Sequence, residues 1–229
     1  MQIERKSVAV GLSVVLLAAG LPGDVAAAAE PRHLIYLHGR IVQEQQTARP
    51  KSPEYGYYEL EKILTAFRKR GFLVTGSIRP KDATVSASAD AVVAEVRRLL
   101  ASGVRPDHIT VVGASMGAAI AFRASARLQN PELRFAVLGA CLSGSIEAVS
   151  AEEGKTPSGY LLCVREASDE TSRPCADLKN APGSNLVARE IVIDTGLRHG
   201  FLYRPLPEWL DPVVQWANAA RAQAAGKRS

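Results

Sequence analysis

From residue 33 onward, short and continuously apolar runs alternate with longer stretches in which apolar residues recur every three or four positions. The runs His33 to Leu37, Phe72 to Val74, Ile109 to Gly113, Phe135 to Gly139, Tyr160 to Val164 and Glu190 to Asp194 read as strands. The run at 109–113 is β-branched and apolar at successive positions, the pattern of a strand buried on both faces. Between the runs, Tyr57, Leu60, Ile63, Leu64 and Phe67 mark one amphipathic helix, stopped at Gly71. Val85, Ala89, Val92, Val93, Val96, Leu99 and Leu100 mark a second. Residues 116–129 form an Ala-rich third, and Trp209, Leu210, Val213, Val214 and Trp216 a last. Strands separated by helices of this length need right-handed crossovers, so the pattern predicts an α/β fold: a mostly parallel sheet in a three-layer α/β/α sandwich. Arg40–Pro53, Ile146–Ser158 and Ser168–Ser184 interrupt the pattern and are expected to be irregular.

The first 29 residues stand apart. A basic head (Arg5, Lys6), an apolar centre from Val8 to Leu21 and a small-residue exit before Glu30 have the order of a secretory signal peptide. The apolar centre falls short of the roughly 20 residues that a membrane-spanning helix needs. The expected organisation is therefore a signal peptide over 1–29 and one compact domain over 30–229, periplasmic or secreted, with no stable membrane insertion after cleavage. The leader carries Glu4, Asp24, Arg5 and Lys6, so the formal charge of +5 survives its removal. The densest basic cluster, Arg68 to Arg70, sits where a helix C-terminus favours cations, and no aromatic platform accompanies it; a nucleic-acid partner is not expected.

One motif carries chemistry. Gly113-Ala114-Ser115-Met116-Gly117 fits G-x-S-x-G between a predicted strand and a predicted helix, where the glycines let the backbone turn sharply and leave the serine hydroxyl exposed. A serine hydroxyl is a weak nucleophile, so it needs a base, and the base needs an orienting acceptor. Of the four histidines, His33 begins a strand and His108 lies in a Pro-Asp-His turn, whereas His199 follows the last strand in a loop flanked by Gly200. His199 is the expected base. Asp169, past strand 160–164, is the expected acid, with Glu166 and Glu170 as competitors; Ser115, Asp169 and His199 then occur in the chain order that this motif expects. An oxyanion needs two preorganised donors, expected from the backbone N–H of Met116 and, past the first strand, that of Arg40. His38 and Gly39 beside it are expected to contact substrate.

Three cysteines, Cys141, Cys163 and Cys175, allow one bridge and one free thiol; Cys163–Cys175 would pin the acid loop, Cys141–Cys175 is comparable, and Cys163 also fits a core position. No Cys/His spacing suits zinc, no HExxH occurs, and no glycine-rich phosphate loop follows a strand, so neither metal nor cofactor is expected.

Together these residues resemble the α/β-hydrolase superfamily: His38-Gly39 after the first core strand, the 113–117 motif, Asp169 after the penultimate strand and His199 after the last. The resemblance spans nearly the whole chain after residue 30. It implies a serine hydrolase acting on a small acyl ester, thioester or amide through an acyl-enzyme, similar to small, lidless carboxylesterases. No long helical insertion follows 135–139, where many relatives place a cap, so no large cap domain and an open pocket framed by the three irregular segments are expected. An acyltransferase would use the same residues, and a non-catalytic protein of this fold would bind a ligand or partner in the same pocket.

Overall fold

A computed structural model describes residue 1 and residues 30–139, 145–172 and 186–219 of the chain. Two compact units are distinguished, Met1–Glu30 and Pro31–Ser229. The expected signal peptide, Cys141 and Cys175 lie outside the described residues. Among the described residues no helix is long and apolar enough to cross a membrane.

The second unit runs β1 (Arg32–Leu37), α1 (Arg40–Gln45), β2 (Lys51–Ser52), β3 (Gly56–Tyr57), α2 (Leu60–Arg68), β4 (Phe72–Thr75), α3 (Val85–Ala101), β5 (Ile109–Ala114), α4 (Met116–Leu128), β6 (Arg134–Leu138), α5 (Ser145–Glu153), β7 (Gly159–Glu166), β8 (Leu186–Ile193) and α6 (Pro207–Asn218). Six strands form one sheet in the order β4-β1-β5-β6-β7-β8, every neighbouring pair parallel. β2 and β3 form a small antiparallel hairpin. Helices cover both faces and, among the described residues, no large cap interrupts them, giving the expected three-layer α/β/α sandwich.

The strands read as continuously apolar because each feeds two cores. Along β1, Ile35 and Leu37 join the layer with Val92, Val96, Ile120 and Phe122 from α3 and α4, while Leu34 and Tyr36 join Leu60, Phe67, Trp209 and Val213 from α2 and α6 on the opposite face. The helical spacing that identified α2 and α3 is thus the spacing of their buried stripes. Thr84 caps α3, its hydroxyl accepting the Ala87 N–H at 3.0 Å. At the other pole, buried Arg134 donates to the Trp216 and Ala219 carbonyls at the end of α6, at 3.1 and 2.6 Å, and to Asp107 O at 3.3 Å. The last carbonyls of a helix lack the full set of intrahelical donors, here only a 3.4 Å contact from the Ala219 N–H to Trp216 O, so a buried guanidinium beside them serves both sides.

Several elements differ from the sequence pattern. The segment 40–53, expected to be irregular, starts with α1, which begins behind Gly39 with no side-chain cap to announce it. The segment 146–158 is largely α5, and Glu153 at its end pairs with Arg123 and Arg127 of α4. β8 starts at Leu186, four residues before the expected strand, because edge positions such as Val187 are exposed and their mixed polarity hides the strand.

Candidate active site

Ser115 sits between β5 and α4 with φ 52° and ψ −117°, a conformation that L-residues rarely adopt and that is worth about 1–3 kcal/mol of local strain. The surrounding backbone holds it there: its N–H donates to Leu138 O at 2.9 Å, and its carbonyl accepts the Ala118 N–H at 2.8 Å. The two glycines of the motif are needed for close approach. A Cβ at Gly113 would stand 2.3 Å from Gly117 O, and one at Gly117 would stand 2.1 Å from Leu37 O. Any side chain at either position would push α4 away from β5 and β1.

His199 reaches the serine from the 3₁₀ turn Arg198–Tyr203 after β8. Its Nε2 lies 3.0 Å from Ser115 Oγ, and its Nδ1 lies 2.7 Å from Asp169 Oδ2. A carboxylate only accepts, so Nδ1 carries the proton and Nε2 is left to accept from the serine hydroxyl. Asp169 stands in the turn after β7, its N–H donating to Glu166 O at 3.2 Å. Burial alone would raise the Asp169 pKa, but hydrogen bonds from His199 and Thr171 outweigh it and hold the carboxyl below its ordinary range.

Thr171 had no signal in the sequence. Its hydroxyl donates to Asp169 Oδ1 at 2.6 Å and its N–H to the same oxygen at 3.1 Å, while its Oγ1 also faces His199 Nδ1 at 3.1 Å. Between them, Thr171 and His199 occupy both oxygens of the acid.

The competing acids are elsewhere. Glu166 is fully buried and does not face His199: one oxygen accepts the N–H and hydroxyl of Ser168 at 2.7 and 2.6 Å, the other the N–H groups of Thr195 and Gly196 at 2.9 and 3.1 Å. Burial pushes its pKa up, yet these donors win and lower it. Glu170 points to solvent.

Ser115 and His199 open onto a cavity of about 460 Å³ whose walls include Arg40, Tyr55, Val85, Met116, Ala119 and Thr171. Arg40 and Thr171 bring the 40–53 and 168–184 segments to it, whereas among the described residues none of 146–158 lines it, that segment packing as α5 against α4. Met116 is the first residue of α4, so its N–H is one of the orphan donors at a helix start. Arg40 is the first residue of α1, following Gly39, whose Cβ position is 3.6 Å from Ser115 Cβ. A second cavity, of about 360 Å³, is lined by Ile35, Ile78, Ala87 and Val92 and contains none of Ser115, Asp169 and His199. Among the described residues no group of three or more His, Cys, Asp or Glu could hold a metal ion, and Cys163 is a buried free thiol in β7.

The expectation that His38 touches substrate is corrected. His38 is 1% exposed and does not border the cavity. Its Nδ1 donates to Gly39 O at 2.8 Å, and its Nε2 accepts the Arg79 N–H at 3.1 Å. Burial and the adjacent Arg79 guanidinium lower its pKa to about 4, so the ring is neutral. Arg79 in turn donates to His38 O at 2.8 Å and to Gln43 Oε1 at 3.0 Å. His38, Gln43 and Arg79 thus brace the loop that carries the Arg40 N–H. Gly39 likewise lines no part of the cavity; its lack of a side chain lets the loop pass Ser115.

The sequence matches no family model and no curated protein. Among solved structures, the chain is similar to a protein of unknown function from Agrobacterium tumefaciens classed with the α/β hydrolases: TM-score 0.51, 16% identity, 80% of this chain and 81% of that one covered. It is also similar to EstE5, in crystals soaked with p-nitrophenyl butyrate, at TM-score 0.54, 14% identity and 86% and 78% coverage. A cold-adapted esterase from an Arctic intertidal metagenomic library gives TM-score 0.51, 13% identity and 83% and 85% coverage.

Proposed function

We propose that this chain, which has the α/β-hydrolase fold, is a serine hydrolase that cleaves carboxylic esters, with thioesters and amides as chemically related substrates. The observation that carries the reading is the unbroken line Ser115 Oγ to His199 Nε2 at 3.0 Å and His199 Nδ1 to Asp169 Oδ2 at 2.7 Å, facing a cavity. In that line Ser115 is the nucleophile, His199 the general base and Asp169 the group that holds the imidazole tautomer and stabilises the imidazolium.

Ser115 Oγ attacks the acyl carbonyl as His199 Nε2 takes its proton. The N–H groups of Arg40 and Met116 receive the oxyanion, the second of them at the positive end of α4. Collapse breaks the bond to the alcohol, which leaves with the proton from His199. A water then enters, gives its proton to His199 and attacks the acyl-enzyme; the acid departs and Ser115 regains its proton. The strained conformation at Ser115 keeps Oγ clear of the strand and aimed at the cavity.

The two esterase-related structures support an ester as first substrate to try. Hydrolysis of p-nitrophenyl butyrate is expected, with a loss of about ten-thousandfold or more in Ser115→Ala. A fluorophosphonate probe is expected on Ser115. Unchanged turnover in Ser115→Ala, or labelling at another residue, overturns the proposal. The basic head, apolar centre and small residues before Glu30 further support export with cleavage near Ala29. N-terminal sequencing of exported protein is expected to start at Glu30, and retention of Met1 argues against it.

A further inference from the structure

The side chain of Arg40 is exposed at the wall of the cavity that holds Ser115 and His199. Among the described residues that line this cavity, Arg40 is the one Arg, Lys, Asp or Glu, and the ionic groups nearest to it inside the fold are engaged while Glu170 and Asp194 face solvent. Asp169 is bonded to His199, Glu54 pairs with Arg198 at 2.6 Å, and Glu166 is saturated by amides and a hydroxyl. Arg79 is buried against His38 and Gln43. Arg40 makes no hydrogen bond and no ion pair with any described residue, although Glu44 stands one helical turn further along α1, where a partner would normally be found. Beside it the wall is apolar, built by Val85, Met116 and Ala119. Among the described residues the cavity therefore joins an apolar surface, suited to a short hydrocarbon segment, to one guanidinium without an ionic partner.

Resting on the serine-hydrolase reading, we infer that Arg40 selects esters that carry a carboxylate a few bonds from the scissile carbonyl. A guanidinium presents a rigid fork of donors that matches a carboxylate in a bidentate pair. The hydrocarbon between carboxylate and ester lies on the apolar wall, and the net charge of +5 adds attraction at a distance. The same residue then acts twice: its backbone N–H at the oxyanion, its side chain at the far charge of the substrate.

Two matched pairs of esters test this. p-Nitrophenyl valerate and the mono-p-nitrophenyl ester of glutaric acid place the charge on the acyl side; phenyl acetate and 4-acetoxybenzoate place it on the leaving group. In Arg40→Gln, the ratio of kcat/KM for the charged over the neutral ester is expected to fall about tenfold in one pair, mainly through KM, with Arg40→Lys retaining part of it. High salt is expected to erode the wild-type ratio. A ratio unchanged in both pairs overturns the inference. So does an equal fall for charged and neutral esters, which assigns the guanidinium to the oxyanion instead. If wild type and Ser115→Ala are alike inert on all four esters, the hydrolase reading has failed. Glutarate binding followed by NMR then decides the anion contact: binding lost in Arg40→Gln sustains it, and equal binding by both proteins overturns it.

Discussion

The carboxylate of Glu166 accepts the backbone N–H of Thr195 at 2.9 Å. Glu166 ends β7, three residues before Asp169, and Thr195 follows β8, four residues before His199. One buried side chain thus ties the segment that carries the acid to the segment that carries the histidine, beside the 2.7 Å contact between Asp169 and His199.

Glu166→Ala removes the acceptor of three N–H groups and of the Ser168 and Thr195 hydroxyls without supplying another. It is expected to destabilise the protein by about 2–4 kcal/mol, because several part-buried donors lose one charged acceptor at once and the buried carboxylate leaves a gap. Urea unfolding checks the stability, and kcat/KM of the folded fraction should fall as the two loops lose their common anchor.

Thr171→Val preserves shape and deletes the 2.6 Å hydrogen bond to Asp169. That bond favours the charged carboxylate, so its loss moves the Asp169 pKa upward, which a carboxyl-carbon NMR titration reads directly. Activity on p-nitrophenyl butyrate is expected to fall roughly tenfold, in keeping with one lost charge-assisted hydrogen bond. Thr171→Ser, which keeps the hydroxyl, should restore both.

His38 makes stability depend on pH. Its pKa is about 4 in the folded protein against an ordinary 6.5, so between these values the unfolded chain binds a proton that the folded chain does not. Stability therefore rises with pH through this window: the contribution is complete above about 6.5 and is lost as pH falls toward 4, up to roughly 3 kcal/mol in all. Chemical denaturation at stepped pH should show this slope in the wild type and a shallower one in His38→Gln.

Gly117→Ala places a methyl 2.1 Å from the Leu37 carbonyl oxygen, a backbone atom that no side-chain rotation can move. Destabilisation of about 3 kcal/mol or more is expected, together with slower fluorophosphonate labelling as α4 shifts away from β1. Thermal unfolding and the labelling rate check the two effects separately.

How much of this was readable along the chain depends on the range of the interaction. The strands β1, β5, β6 and β7 were legible because a strand between two helical layers must be apolar at every position, a rule that each short segment obeys by itself. The turn at 113–117 was legible for the same reason: its glycines and serine answer to contacts at a single junction. α1 was missed because Gly39 offers no capping side chain, and β8 was shortened because an edge strand mixes exposed and buried positions. Which of three neighbouring carboxylates meets His199 was open in the sequence, since all three lie within five residues and each could have turned inward.

By itself, then, the sequence determined the layered α/β architecture, the placement of Ser115 at a strand-to-helix turn and the order Ser115, Asp169, His199, because periodicity and local steric demands are written into consecutive residues. Only the tertiary structure decided that Asp169 rather than Glu166 faces the histidine, that Thr171 completes its hydrogen bonding, and that His38 braces a loop instead of touching the cavity. Those outcomes rest on partners such as Arg79 and His38, 41 residues apart, or Glu166 and Thr195, 29 apart. A hydrogen bond across such a distance leaves no periodicity in the chain; it exists only once the sheet has brought its strand ends together.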